Sequence, residues 1–126
     1  MSKRCVGDSR IVEQYPYDSV AISRKRARAI AKVLCLGDKV CVIEWKRGRT
    51  AHAQVGCATK WDGGRIYTIE IRHWTLATLL HEIAHVNVME RFGAERWWYH
   101  DARFKREQER LYNVYQALAS IGGWFH

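Results

Sequence analysis

Residues 75–93 read TLATLLHEIAHVNVMERFG, and this stretch decides the predicted fold. Thr75 is a residue type that caps helix N-termini, and Gly93 is the type that often follows a helix C-terminus. Leucine, isoleucine, valine and alanine cover most of the circumference between these two signals. We therefore predict a central, buried helix from Thr75 to about Arg91. Two histidines and a glutamate stand in the middle of this apolar helix.

These three residues form the motif HEIAH at 81–85. His81 and His85 are four residues apart, so both imidazoles can reach one point beside the helix. Glu82 lies about 100° further round, close enough to reach a water at a metal but poorly placed as a ligand itself. Buried without partners, these side chains would cost several kcal/mol, and a zinc ion removes that cost. The alternative is a pair of hydrogen-bonded core histidines with the glutamate in an ion pair.

A catalytic zinc site usually has three protein ligands and one open position, so a third ligand is needed. His100 is the first candidate, because it starts the last predicted helix after a turn at Gly93 that lets the chain fold back. Three other residues are alternatives: Glu95, Asp101 and Cys57. The histidines outside this motif are interpreted as surface, strand or terminal residues: His52, His73 and His126.

The preceding part of the chain predicts one helix and three strands. Ser23 can cap a helix that runs to about Leu36, with small and aliphatic residues on one face. Runs rich in β-branched residues at 39–45, 51–61 and 65–71 predict strands. The DGG turn joins the last two strands into a hairpin.

A last helix is predicted from about Asp101 to Ile121, with four residues facing the core: Phe104, Leu111, Tyr115 and Leu118. The chain is therefore predicted to be one α+β domain over residues 1–126, with its core at about 23–121. Its parts are an N-terminal helix, a small three-stranded antiparallel sheet, the HExxH helix and a C-terminal helix.

The chain is basic, and the positive charge is concentrated in its first part. The net charge of the 126 residues is +8, and residues 1–49 hold 12 lysines and arginines against 5 acidic residues. The run SRKRARAIAK at 23–32 suits contacts with DNA phosphates, or alternatively forms a solvated face. Five tryptophans either stack on unpaired bases or pack in the core: Trp45, Trp61, Trp74, Trp97 and Trp98.

Cysteine spacing and hydropathy indicate a reducing compartment. The four cysteines form no CxxC pair, so no zinc ribbon is predicted: Cys5, Cys35, Cys41 and Cys57. The N-terminus MSKRCVGDSR has no apolar signal region, and no apolar run approaches the roughly 20 residues of a membrane span. We expect reduced thiols, a cytoplasmic protein and no membrane partner.

HEIAH at 81–85, followed by HDARF at 100–104, resembles the SprT-like zinc metallopeptidases, the family of SprT and Spartan with small phage and bacterial members. The order of helix, sheet, HExxH helix and closing helix is similar as well, over about residues 23–118. Asp101 departs from the glycine that is usual in the family at this position. The resemblance implies a zincin-like minimal metallopeptidase from a bacterial or phage-infected cell.

The resemblance implies zinc-dependent hydrolysis of peptide bonds. Glu82 matches the base that takes a proton from the attacking water and passes it to the leaving amine. One zinc ion would be held by the residues that match the ligands: His81, His85 and His100. The candidates for oxyanion stabilisation are Tyr99, Tyr112 and Arg103. The strand at 65–71 is expected to offer an open edge to an extended peptide.

The resemblance also implies that the protein substrates are DNA-associated, with a possible DNA contact through the basic N-terminal helix. Two other classes of function stay open. One is a non-catalytic, zinc-containing nucleic-acid-binding module, and the other is a zinc hydrolase of a non-peptide amide. Glu82 favours an enzyme, because a purely structural metal site has no need of a base beside it.

Overall fold

The computed structural model describes residues 3–4, 20–46, 53–96 and 100–121. Six residues discussed above lie outside these ranges: Cys5, His52, Trp97, Trp98, Tyr99 and His126. The described elements are, in chain order, β1 (Lys3–Arg4), α1 (Arg24–Leu34), β2 (Val40–Glu44), β3 (Ala53–Thr59), β4 (Arg65–Ile71), α2 (Leu76–Phe92), a 3₁₀ turn (Ala94–Arg96) and α3 (Ala102–Ala119). The predicted α+β class is confirmed.

The sheet is mixed, so the prediction of an antiparallel sheet was wrong. Its strand order is β1-β3-β4-β2. Strands β3 and β4 form the predicted antiparallel hairpin, whereas β2 pairs with β4 in parallel, from Val40 opposite Tyr67 to Glu44 opposite Ile71. The physical reason is that β2 adds to the far side of β4 instead of to its sequence neighbour β3. Since the chain reverses direction twice between them, before and after β3, β2 and β4 point the same way.

This order places β4 in the interior of the sheet, so the expectation that residues 65–71 offer an open edge was wrong as well. Within the described residues, β2 is the outer strand on the side of α1. The carbonyl of Lys39 accepts from the backbone N–H of Tyr67, and the backbone N–H of Trp45 donates to the carbonyl of Ile71. The backbone N–H and C=O groups of the odd-numbered residues along β2 therefore point to β4. The backbone groups of the even-numbered residues point away from β4. One of them, the carbonyl of Val42, accepts from Nε of Arg28 at 3.1 Å.

All three helices contribute to one core with one face of the sheet. Three residues in register across neighbouring strands, Val42, Ile69 and Val55, belong to the same buried cluster as the apolar residues of the helices. Helix α2 is the central element, since every residue from Leu76 to Met89 is buried. Among the residues described, no helix has the length and apolar character required to cross a membrane.

Side-chain caps fix the ends of the helices. The hydroxyl of Ser23 accepts from the backbone of Arg26, and Thr75 caps α2 in the same manner, as the sequence predicted. Helix α1 ends at Leu34, two residues before the predicted end. The reason is Asn87 of α2, whose amide accepts from the backbone of Leu36 at 2.8 Å and donates to the carbonyl of Leu34 at 3.2 Å.

Candidate metal centre

Three histidines meet between α2 and the start of α3. His81 and His85 project from α2, one turn apart. His100 stands immediately before Asp101, whose carboxylate caps α3 by accepting from the backbone of Arg103 and Phe104 at 3.1 and 3.2 Å. Because this cap fixes where α3 begins, it also fixes the approach of His100 to α2. We call His81, His85 and His100 the histidine cluster.

The ring nitrogens of the histidine cluster converge on one point. Nε2 of His100 lies 3.1 Å from Nε2 of His85 and 3.3 Å from Nε2 of His81. One ligand atom from each of the three histidines lies within 4.8 Å of the other two. Two nitrogens bound to one tetrahedral zinc ion are separated by about 3.3 Å, which follows from Zn–N bonds of roughly 2.0–2.1 Å. The spacing of the cluster therefore matches what a single ion requires.

The chemistry of the donor set also fits a metal ion. A contact between two imidazole nitrogens is a hydrogen bond only if one of them carries a proton, whereas one cation accepts the lone pairs of all three. Neutral imidazoles suit zinc and also copper, iron and nickel. The histidine cluster could thus hold a metal ion, and its donor atoms leave the identity of that metal open.

The alternative third ligands lie elsewhere in the described structure. Asp101 is the N-cap of α3. Glu95 belongs to the 3₁₀ turn and is exposed. Cys57 is buried in the core on β3. Among the described residues, none of the three joins the histidine cluster.

Phe104 forms a common wall behind the three imidazoles. It lies one helical turn after His100 and is 2% exposed. Its ring centroid lies 4.9 Å from that of His81, 4.4 Å from that of His85 and 4.9 Å from that of His100. The sequence predicted Phe104 as a core residue, and the structure adds that this part of the core supports the histidines.

Glu82 and Gln108 stand beside the histidine cluster. Glu82 is fully buried, and its Oε2 lies 3.9 Å from Nε2 of His81. Gln108 of α3 is 4% exposed, and its side-chain nitrogen lies 3.1 Å from Nδ1 of His81. The sequence reasoning missed Gln108. A signal was available, because Gln108 follows His100 and Phe104 at intervals of four residues.

Two of the expected oxyanion donors, Tyr112 and Arg103, differ in their position relative to the histidine cluster. Tyr112 is buried on α3, one turn after Gln108. The guanidinium of Arg103 stacks on Phe92 at 4.5 Å, two helical turns beyond His85. Of these two candidates, Tyr112 therefore shares the helix face that reaches the histidine cluster.

The basic helix α1 uses three of its arginines within the protein. Arg24 pairs with Glu44 and stacks on Trp74 at 5.0 Å. Arg26 donates to the hydroxyl of Tyr115 at 3.0 Å, and Arg28 donates to the backbone of β2. The lysines of α1, Lys25 and Lys32, are exposed. The positive charge predicted to meet phosphates is therefore already partly engaged in tertiary contacts.

The tryptophans expected to stack on bases are not equivalent. Trp45 is 9% exposed and is covered by the guanidinium of Arg72 at 4.5 Å. Trp74 donates its indole N–H to Glu44 at 3.1 Å. Trp61, in the turn between β3 and β4, is 97% exposed. Of the three within the described ranges, Trp61 is the one whose ring is accessible for stacking.

A second polar cluster lies between α2 and α3. Asn87 donates to Oε2 of Glu107 at 2.7 Å, and Arg110 donates to both carboxylate oxygens at 2.9 and 2.6 Å. Arg91 approaches the same carboxylate at 3.5 Å. Burial opposes ionisation of Glu107, but the hydrogen bonds from Arg110 and Asn87 outweigh it and lower the pKa of the carboxyl. We call these four residues the Asn87–Glu107 cluster.

The cysteines show no sign of metal binding in the described structure. Burial raises the pKa of the Cys35 thiol to about 12, which disfavours the thiolate that metals bind. Cys41 is exposed on β2, and within the described residues no disulfide joins Cys35, Cys41 or Cys57.

No protein-family model, curated protein or solved structure matches the chain. Function is therefore inferred from the geometry of the histidine cluster and its neighbours.

Proposed function

We propose that the protein is a zinc-dependent metallopeptidase that hydrolyses peptide bonds. The observation that carries this proposal is the convergence of three Nε2 atoms from His81, His85 and His100 beside the buried carboxylate of Glu82. A purely structural site does not need this carboxylate. A hydrolytic site does need a base near the metal, so the arrangement supports an enzyme more than a structural module.

In the proposed mechanism the histidine cluster would hold the zinc ion, and zinc would bring the attacking water and the scissile carbonyl together. When bound, zinc lowers the pKa of water towards about 7 and polarises the scissile carbonyl. Glu82 takes the proton of the attacking water on its carboxylate and transfers it to the leaving amine. Phe104 keeps bulk water away from the back of the imidazoles, and the hydroxyl of Tyr112 is the proposed donor to the oxyanion.

The test is the substitution Glu82→Gln, which keeps the shape of the side chain and removes the base. We expect zinc binding and thermal stability to persist, while turnover of a casein substrate falls by at least roughly 10²-fold. Glu109→Gln changes an exposed glutamate of α3 and serves as the matched control. Unchanged cleavage by Glu82→Gln would show that another group activates the water, and absence of cleavage by the unmodified protein would contradict the proposal.

We further propose that the substrates are proteins associated with DNA, as the resemblance implies. The observation in favour is Trp61, whose exposed ring follows Lys60 at the tip of the β3–β4 hairpin, where an unpaired base could stack. Trp61→Ala should weaken binding of single-stranded DNA, whereas Trp61→Phe, which keeps an aromatic face, should retain most of it. Fluorescence anisotropy with a labelled oligonucleotide measures both.

The salt dependence of the same binding tests the basic helix. Each phosphate neutralised on a single strand contributes a log–log slope of about −0.7. The double reversal Lys25→Glu and Lys32→Glu should make the slope shallower if α1 contacts the backbone. Zinc content should remain unchanged in this variant. Binding that is undetectable at low salt would leave a peptidase without a nucleic-acid partner. DNA binding without any cleavage, together with retained zinc, would favour the non-catalytic module.

A further inference from the structure

The two nitrogens of His81 face different partners. Nε2 points to the centre of the histidine cluster, 3.3 Å from Nε2 of His100. Nδ1 points the other way, to the side-chain amide of Gln108 at 3.1 Å. Both residues are buried, His81 at 5% and Gln108 at 4% exposure. The amide therefore contacts His81 on the side opposite to the proposed metal.

The position of one proton decides whether His81 can act as a ligand. A neutral imidazole carries its proton on one nitrogen and a lone pair on the other. For Nε2 to bind a metal, the proton must lie on Nδ1, and a buried N–H needs an acceptor. A glutamine amide offers an oxygen and an NH₂ group of nearly equal size, so a half-turn of the amide presents the oxygen to Nδ1.

The position of Gln108 on α3 connects it to the rest of the site. Phe104 and Gln108 lie four residues apart on one face of α3, and His100, just before the helix, packs its ring 4.9 Å from that of Phe104. His100 belongs to the histidine cluster. Phe104 packs against all three imidazoles, and Gln108 contacts the outer nitrogen of His81. The start of α3 and the residue before its cap thus supply a proposed metal-binding atom, and the same face of α3 supplies the support of another.

We infer that Gln108 is a positioning residue of the metal centre: its amide oxygen accepts the proton on Nδ1 of His81 and keeps Nε2 available to the metal. This inference rests on the proposed zinc site. Partners of this kind commonly change metal affinity by 10–100-fold when they are removed. Gln108 has this role without touching the metal or the substrate.

The experiment compares three variants of the full chain. Gln108→Met keeps the length of the side chain but removes the acceptor, whereas Gln108→Glu keeps an acceptor. Gln116→Met is the matched control, because Gln116 is exposed two turns further along α3. Zinc affinity is measured by competition with a chromophoric chelator, and the thermal unfolding of the metal-free proteins is followed alongside it. We expect roughly 10–100-fold weaker zinc binding for Gln108→Met and retained binding for Gln108→Glu and Gln116→Met.

A second measurement reads the proton directly in the metal-free protein. Long-range ¹H–¹⁵N correlation spectra distinguish an imidazole protonated at Nδ1 from one protonated at Nε2. Before zinc is added, we expect His81 to carry its proton on Nδ1 in the unmodified protein and in Gln108→Glu. In Gln108→Met the metal-free spectrum should shift towards the Nε2-protonated form.

The outcomes separate the two proposals. Zinc affinity of Gln108→Met equal to that of the unmodified protein, with the same tautomer of His81, overturns the role of Gln108 and leaves the metal site intact. An unmodified protein that binds no zinc overturns the proposed function and, with it, the role of Gln108 towards zinc. Weaker zinc binding in both Met and Glu variants, with lower stability of the metal-free forms, would identify Gln108 as a packing residue only.

Discussion

The interface between α2 and α3 brings together two groups of polar side chains that use their hydrogen-bonding capacity in opposite ways. In the Asn87–Glu107 cluster, donors face an acceptor: the amide of Asn87 and the guanidinium of Arg110 both donate to the carboxylate of Glu107. In the histidine cluster, three ring nitrogens of the same kind face each other. The first group pairs donors with an acceptor inside the chain, whereas the second could hold a metal ion.

This difference separates a structural cluster from the one proposed to be functional. The Asn87–Glu107 cluster also binds the end of α1 through Leu34 and Leu36, so that it joins all three helices. The histidine cluster lies about one helical turn away on α2 and connects that helix to the start of α3. We therefore expect loss of the first to reduce folding stability and loss of the second to reduce metal binding, with little exchange between the two effects.

The largest expected effect is on metal binding. His100→Ala removes one of three proposed ligands, so zinc affinity should fall by more than the roughly 100-fold that marks the loss of a supporting partner. The unfolding free energy of the metal-free protein should stay nearly constant. His73→Ala is the control, because His73 is an exposed histidine outside the cluster. Full zinc occupancy in His100→Ala, measured by elemental analysis, would return Glu95, Asp101 and Cys57 as candidates.

Zinc should also stabilise the folded protein. A ligand that binds only the folded state at 100 times its Kd raises the unfolding free energy by about 2.7 kcal/mol. Since the histidine cluster joins α2 to the start of α3, we expect the melting temperature to rise with zinc concentration in the unmodified protein. Differential scanning calorimetry with and without zinc measures this rise, and the same rise in His100→Ala would place the metal elsewhere.

The Asn87–Glu107 cluster should show the opposite response. Asn87→Leu keeps the approximate shape of the side chain but removes the partners of Leu34, Leu36 and Glu107. Because a buried polar group left unsatisfied costs about 1–3 kcal/mol, we expect unfolding free energy to fall by about 2 kcal/mol. Asn113→Leu, at an exposed position of α3, is the control. Urea unfolding measures the stability of both variants. Zinc binding that weakens in Asn87→Leu while the unfolding free energy stays unchanged would contradict the separation of the clusters.

The smallest effect concerns pH. The pKa of Glu107 is lowered in the folded protein, so at acidic pH the unfolded chain binds more protons at this site. The stabilisation is present above the unfolded pKa of about 4.3 and is lost as the pH falls through the folded value. The effect is modest because the side chains of Arg110 and Arg91 are 40% and 47% exposed. Glu107→Gln should remove this part of the pH dependence of urea unfolding; an identical pH profile would show that Glu107 contributes none of it.

The sequence predicted the helices well because their signals are local. Ser23, Thr75 and Asp101 act as caps where their side chains reach nearby backbone groups, and this depends on only three or four following residues. The pairing of β2 was predicted wrongly, because strand partners are chosen by tertiary contacts. The absence of exposed residues in β4 follows from its central place in the sheet, which only the folded structure shows.

The candidate site shows the same division. The grouping of His81 and His85 follows from helical spacing, and the approach of His100 follows from a turn and a cap that can be read locally. Gln108 was missed because it stands in the charged run KREQER, which resembles a solvated helix face. Its burial comes from the docking of α3 on α2, and docking is a property of the whole fold.

The contact of Arg28 with β2 covers part of a sheet edge at which another copy of the protein could pair. An outer strand exposes backbone groups that can pair with the same strand of another molecule, the first step of edge-to-edge aggregation. Here the carbonyl of Val42 is occupied by Arg28, and α1 places the exposed lysines Lys25 and Lys32 on the same helix. A second copy approaching this edge would have to displace a guanidinium and bring its own positive helix alongside. The charge of α1 thus protects the strand beside it, whatever else it contacts.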